Sequence, residues 1–202
     1  LIFKVRPNDP PETNQFYVPV LSGIESHCRA QNINLFYAQL PVDEQNNPLE
    51  APRLLKEQSA DGLLFVGIQL NEAVTQVLQK QNQPIVLVDA YAEDEQYDAV
   101  VTDNEAGAYR ATLYLIQNGH RHIAIVGSTP HGYPSIQERR NGYLRAMQEH
   151  GLTPEFVDCY HNLGSAAPVA EAFLRQNERI TAVFCANDEV AISVMRAAQK
   201  LG

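Results

Sequence analysis

Cysteine is scarce in this chain. Its 202 residues include only Cys28, Cys159 and Cys185, far apart and odd in number. None belongs to a C-x-x-C pair, which argues against a structural metal site, and the odd count argues against a disulfide framework. All three fall in helix or strand patterns, so buried, reduced thiols of a cytoplasmic protein are expected. Basic charge is also short. Lys and Arg number 15 against 24 Asp and Glu, a formal net charge of −9. That balance carries no electrostatic footprint for nucleic acid, and this chain is not expected to bind DNA by itself. No apolar run approaches the roughly 20 residues that a bilayer span needs, so no membrane partner is expected. No signal peptide is visible, and Leu1 already lies in what reads as a strand, so a piece of a longer chain is expected.

Catalytic signatures are missing too. There is no G-x-G-x-x-G and no G-x-x-x-x-G-K-[ST], so the glycine-rich phosphate cradles are absent. There is no G-x-S-x-G elbow and no H-E-x-x-H. His120 and His122 flank Arg121 ahead of a strand pattern and pair with no cysteine or carboxylate. Asp43, Glu44, Glu93, Asp94 and Glu95 fall in loop stretches and read as solvating charges. No catalytic residue, metal ligand or cofactor is predicted, and the chain is not expected to be an enzyme.

What is present is a strict alternation of strand and helix patterns. Hydrophobic content of 45% and 12 prolines suit an ordinary globular protein. Strands are predicted at 1–5, 33–40, 62–66, 85–88 and 99–102, then at 123–126, 156–160 and 181–185. Helices are predicted at 14–31, from Pro48 to before Asp61, and at 71–81, 105–118, 136–150, 166–176 and 189–200. Asn14 is a plausible N-cap for the first of these, where Phe16, Val20, Ile24 and Cys28 fall at helical spacing. Pro48 suits the opening turn of the second. Gly119 and Gly151 close two later helices. Such alternation means parallel sheets covered by helices, an α/β protein.

The chain is organised around R-H-I-A-I-V-G-S-T-P-H-G-Y-P-S-I-Q-E-R-R-N-G-Y-L-R-A, from Arg121 to Ala146. A β-branched run ends in a Gly/Ser/Pro-rich loop, and the helix that follows carries Arg139 and Arg140. Loops at the carboxyl ends of parallel strands are where ligands bind, and two arginines there suit a polar or anionic ligand. From this stretch alone a solvated helix face is the favoured reading, since surface arginines are common. An internal repeat relates Gly23 to Gly142 and Gly67 to Asn187 at a spacing of about 120 residues, which suggests two similar lobes. A cleft between lobes is a favoured place for a small ligand.

The segments N-E-A-G-A-Y-R-A-T-L-Y-L-I-Q-N-G-H-R-H-I-A-I-V-G, S-I-Q-E-R-R-N-G-Y-L-R-A-M-Q-E-H-G-L and I-T-A-V-F-C-A-N-D-E-V-A-I-S-V-M-R-A-A-Q-K-L-G resemble the effector-binding domain of the LacI/GalR family of transcription regulators. N-Q-F-Y-V-P-V-L-S-G-I-E, A-D-G-L-L-F-V-G and P-I-V-L-V-D-A-Y continue the match in order, so it covers nearly the whole chain. The resemblance implies two Rossmann-like lobes of the type I periplasmic-binding-protein kind. The lobes would span 1–103 and 104–202, with the chain crossing between them near 102–105. It implies a small polar effector, expected to be a sugar, held in the interlobe cleft. It also implies a homodimer that reads operator DNA through a helix-turn-helix headpiece absent before Leu1. The second lobe is expected to be incomplete after Gly202, so that the site lacks a wall. The alternative is a periplasmic sugar-binding protein of an ABC transporter.

The resemblance also names site residues. Phe16 and Tyr17 hold the aromatic pair after the first strand, where aromatic faces stack on sugar rings or bases. Each serves equally as a core contact at a helix start. Asp89 ends the fourth strand and suits ligand hydroxyls, or a strand-end turn. Ser135 and Arg139 match S-x-x-x-R, the arginine offering a rigid fork of donors. Arg140 reads as a surface or interlobe residue. Asn187 matches the ligand-facing amide of A-N-D, with Asp188 expected to cap the helix that follows. His161 stands where the family often has an aromatic residue, although Cys159-Tyr160 replaces the usual Gly-Asp pair before it. The 7–13 loop is longer than the family's usual turn.

Overall fold

The structure is a computed structural model that describes residues 1–5, 16–43, 49–50, 52–57, 59–70, 72–80, 82–92, 97–159 and 163–202. The chain divides into two compact units, Leu1–Val101 and Thr102–Gly202. In the first, the strands are β1 (Ile2–Val5), β2 (Ala38–Pro41), β3 (Leu63–Val66), β4 (Gln69–Leu70), β5 (Ile85–Val88), β6 (Tyr91–Ala92) and β7 (Asp98–Val100). The helices are α1 (Tyr17–Ala30), α2 (Arg53–Glu57) and α3 (Glu72–Leu78). Five strands form one sheet in the order β2-β1-β3-β5-β7, and every neighbouring pair is parallel. β4 and β6 make a separate parallel pair.

The second unit contains α4 (Asn104–Gln117), β8 (Ile123–Val126), α5 (Pro134–Glu149), β9 (Glu155–Val157), α6 (Leu163–Gln176), β10 (Ala182–Cys185) and α7 (Asp188–Leu201). Its sheet runs β10-β8-β9, again all parallel. The first strand of each unit therefore lies between the second and the third, in both halves of the repeat. Antiparallel neighbours can turn on two residues, but parallel ones need a crossover; helices supply it here except between β5 and β7, where β6 intervenes.

Burial follows from period two. In β10, Ala182 and Phe184 pack on one face while Val183 and Cys185 pack on the other. In β8, Ile123 and Ile125 join Ile116, Tyr143, Ala146 and Met147 between the sheet and α4 and α5. Val126 joins Val157, Ala166, Ala170, Val190 and Val194 beneath α6 and α7. All four residues of β8 are buried, as a central parallel strand requires. The first unit has its core in Ile2, Leu40, Leu63, Phe65, Leu70, Val74, Leu78 and Leu87.

Several expected boundaries shift. The second strand spans only Ala38–Pro41, and 33–37 lie outside any strand, with Ile33, Phe36 and Tyr37 exposed. The apolar run there was no sign of pairing. The strand expected at 156–160 is Glu155–Val157, so Cys159 follows a strand although it is buried. The short pair β4 and β6 had no pattern to reveal it. Asn14, Pro48 and the 7–13 loop lie outside the described residues.

Two contacts fix the second unit. Gly142 of α5 lies against α4 so closely that a Cβ there would stand 2.2 Å from the Glu105 carbonyl oxygen and 2.8 Å from the Tyr109 nitrogen. Tyr143 is fully buried, and its hydroxyl donates to the Ile123 carbonyl at 2.8 Å. The same oxygen accepts from the Glu155 N–H at 2.8 Å, tying β8 to β9. Gly142→Ala should cost about 2–3 kcal/mol by overpacking, read as a fall in the urea midpoint; an unchanged midpoint would contradict the close helix contact. Tyr143→Phe should cost about 1–3 kcal/mol by stranding two buried backbone groups. Burial pushes the Tyr143 phenol up to about 12 from its ordinary value of 10. The unfolded tyrosine ionises first, so the wild type should lose stability as pH rises from 10 to about 12. The Phe variant lacks that slope, and the gap between the two should narrow in alkaline unfolding curves.

Candidate functional site

Both units place their candidate residues where strands end at the carboxyl edge of a sheet. In the first unit, Tyr17 opens α1, Gly67 follows β3 and Asp89 follows β5. The Tyr17 hydroxyl donates to Asp89 Oδ2 at 2.7 Å. Its ring lies over Gly67, where a Cβ would come within 2.6 Å of Cζ. Gly67 has φ +66° and donates to the Val88 carbonyl at 3.0 Å. Asp89 has φ +47°, a region that aspartate and asparagine tolerate better than most side chains, and its N–H donates to the Val100 carbonyl at 2.9 Å. Phe16 stands edge-on to Tyr17 at 5.1 Å and is 55% exposed, so it is no core contact. Tyr17 and Asp89 are thus brought together, with Phe16 beside them.

In the second unit, helix α5 supplies the centre. Tyr133 precedes Pro134 and is extended, as a residue before proline prefers, and Pro134 occupies the first turn. Counting from there places Ser135, Arg139 and Gly142 on one stripe of the helix, and Ser135 is buried. Arg139 Nε donates to Asn104 Oδ1 at 3.0 Å, and its Nη1 donates to the Ala186 carbonyl. Asn104, the first residue of α4 and only 4% exposed, donates through Nδ2 to the Thr102 carbonyl and to Glu138 Oε2, each at 3.0 Å. Arg139 is therefore tied to α4 on one side and to the β10–α7 turn on the other.

Asn187 lies in that turn, and its placement corrects one expectation. Asn187, not Asp188, caps α7: its Oδ1 accepts from the Val190 N–H at 2.9 Å, while Asp188 is already helical. An extended residue just before the helix is the one whose side chain can turn back to the third N–H. Arg140 is also not a solvated surface group. Its guanidinium stacks 3.8 Å over the Phe156 ring, pairs with Asp158 at 2.8 Å, and donates to the carbonyl and hydroxyl of Ser128. It pins the loop after β8 to β9, beside the residues around Ser135. His161 lies outside the described residues.

Sequence reading missed Gly67, Asn104, Glu138 and Ser128. Gly67 carried a signal, since a glycine directly after a buried strand often marks close approach. Asn104 carried none that distinguishes it from a helix-start residue. Neither Cys185 nor Cys159 is poised as a nucleophile at neutral pH: burial pushes Cys185 up to about 11 and moves Cys159 in the same direction. Among the described residues, no group of three or more His, Cys, Asp or Glu could hold a metal ion. No helix of the described residues is long and apolar enough to cross a membrane.

Residues 6–202 match the family described as periplasmic binding proteins and the sugar binding domain of LacI family. The chain belongs to this family. Its LacI-family relatives include the HTH-type transcriptional repressor PurR of Aliivibrio salmonicida, 31% identical over 195 residues, and that of Vibrio vulnificus, 33% identical over 196. Each alignment takes in 94% of this chain but only 57% and 58% of the relative, so the chain spans little more than half the length of these repressors. Among solved structures, a LacI-family regulatory protein from Chloroflexus aggregans superposes with a TM-score of 0.81 at 27% identity, covering all of this chain and 73% of that one. A LacI-family regulator from Enterococcus faecium, solved with bound ribose, superposes at 0.77 and 23% identity over the same shares, which shows the shared fold. The LacI-family relatives are transcription regulators, not enzymes.

Gly67 is the residue on which the first unit's cluster of candidate residues turns. Gly67→Ala should drive the Tyr17 ring off the strand end and strain a φ of +66°, at a cost of about 1–3 kcal/mol. A thermal melt together with near-ultraviolet circular dichroism of the tyrosines would show it. Unchanged tyrosine signals would contradict the placement of that ring.

Proposed function

We propose that this chain is the ligand-sensing part of a cytoplasmic LacI-family repressor. It would act as a homodimer whose affinity for operator DNA is set by a small polar effector. The observation that carries the reading is Arg139, a cation held in place by Asn104 and Ala186 at the sheet edge where Ser135 and Asn187 also lie. Ligands of parallel α/β sheets bind at such edges. Phe16, Tyr17 and Asp89 add an exposed aromatic face and a carboxylate at the corresponding edge of the first unit. An arginine fork and a carboxylate suit hydroxyls, and an aromatic face suits a flat ring. A sugar meets both demands, and the family description names sugar binding.

A purine base is the second reading, because the relatives that align with 94% of this chain are PurR repressors. A base offers the same flat face and a hydrogen-bonding edge. In either case the effector works by binding one conformation of the protein better than another, and operator affinity follows by linkage.

Calorimetric titration of the full-length protein with ribose, glucose, glucose 6-phosphate, hypoxanthine and guanine separates the readings. A response to sugars alone supports the first, and one to bases alone the second. Arg139→Ala should weaken the responding compound by about ten- to a hundredfold, the value of one charged hydrogen bond. Unaltered affinity in that variant would remove Arg139 from the site.

A further inference from the structure

Asn104 stands between two opposite charges that are neighbours in sequence, Glu138 and Arg139. Its amide accepts from Arg139 Nε and donates to Glu138 Oε2, at 3.0 Å each. An amide can accept from a cation and donate to an anion at once, a combination that a carboxylate, a hydrocarbon or an ammonium cannot offer. Nδ2 also donates to the carbonyl of Thr102, the residue that opens the second unit. Asn104 is buried and its partners Glu138 and Arg139 are half-buried, so water competes with these bonds less than at the surface. Among the described residues, the Nη2 end of Arg139 makes no hydrogen bond, while Nε and Nη1 are both engaged.

An arginine has several rotatable bonds, and a ligand that had to collect it from solution would lose affinity to the ordering. Two fixed acceptors on different elements remove that cost before any ligand arrives. From this arrangement we infer that Asn104 is the positioning residue for Arg139: its Oδ1 holds Nε so that the guanidinium meets the effector already oriented. This rests on the reading of Arg139 as a ligand contact. The bond to Thr102 gives the same residue a second consequence, since it joins the ligand-contacting arginine to the residue that opens the second unit.

The test uses the full-length protein with Asn104→Ala, Asn104→Asp, Arg139→Ala and the Asn104→Ala/Arg139→Ala pair. Two readouts are taken: affinity for the compound bound in the calorimetric panel of ribose, glucose, glucose 6-phosphate, hypoxanthine and guanine, and the Arg139 Nε–H resonance in arginine-labelled protein without ligand. Asn104→Ala should weaken binding about tenfold, and should add nothing to Arg139→Ala, because the two act as one unit. The Nε–H resonance, slow to exchange in the wild type, should be lost in Asn104→Ala. It should survive in Asn104→Asp, which keeps the acceptor but loses both donors. A merely structural Asn104 would give additive losses and would make the Asp variant as damaging as the Ala variant; either result overturns the inference. Should none of the five compounds bind, the effector classes proposed above fall, and the resonance alone decides whether Asn104 orients Arg139. If Arg139→Ala binds normally, the reading of Arg139 as a ligand contact fails, and the inference falls with it.

Discussion

A parallel strand cannot be followed by its neighbour until the chain has crossed back to the starting edge of the sheet. Every sheet among the described residues is parallel, so this constraint governs both units. It delivers each strand's exit loop to one edge. At that edge the backbone is unusual: Gly67 after β3, Asp89 after β5 and Gly127 after β8 all have positive φ. Polar side chains gather at that edge and bond to its backbone and to one another. Tyr17 over Gly67 and Arg139 against the Ala186 carbonyl are two solutions of the same geometric problem.

The two units share this plan down to strand order, β2-β1-β3 in one and β9-β8-β10 in the other. They differ in what stabilises the edge. The first unit uses an aromatic ring and a neutral donor, Tyr17, to a carboxylate. The second uses two arginines one residue apart on α5, each committed to different partners. Arg139 reaches α4 and the β10–α7 turn, whereas Arg140 grips the Ser128 loop, Asp158 and the face of Phe156. Adjacent positions on a helix point about 100° apart, which is why the two can serve separate tasks.

The alternation of strands and helices was legible because period-two and helical patterns are physical requirements of burial on a sheet face. β8 and β10 show this, their residues dividing between two core layers. The repeat was legible for the same reason. Strand lengths were not: Ile33 and Phe36 look like core residues, yet they are exposed and unpaired in any sheet, because pairing depends on a partner that local sequence does not reveal. Among the candidate residues, Tyr17, Asp89, Ser135, Arg139 and Asn187 were named from a family resemblance, and their bonding could not be. The cap at Asn187 depended on which residue stays extended, and the covering of Arg140 depended on Phe156 in β9 and on Asp158 just after it. Asn104 was hidden because its partners lie 34 and 35 residues away.

The proposed function requires the full-length protein to read one small ligand and one DNA sequence at coupled sites. Coupling of this kind is reciprocal: whatever factor the effector applies to operator affinity, operator must apply to effector affinity. The most direct measurement is the effector's dissociation constant for the full-length protein, taken with and without saturating operator DNA. The account predicts a shift of about five- to 150-fold, matched by the shift in operator affinity when effector saturates. An effector that binds with the same constant whether or not operator is present would contradict it.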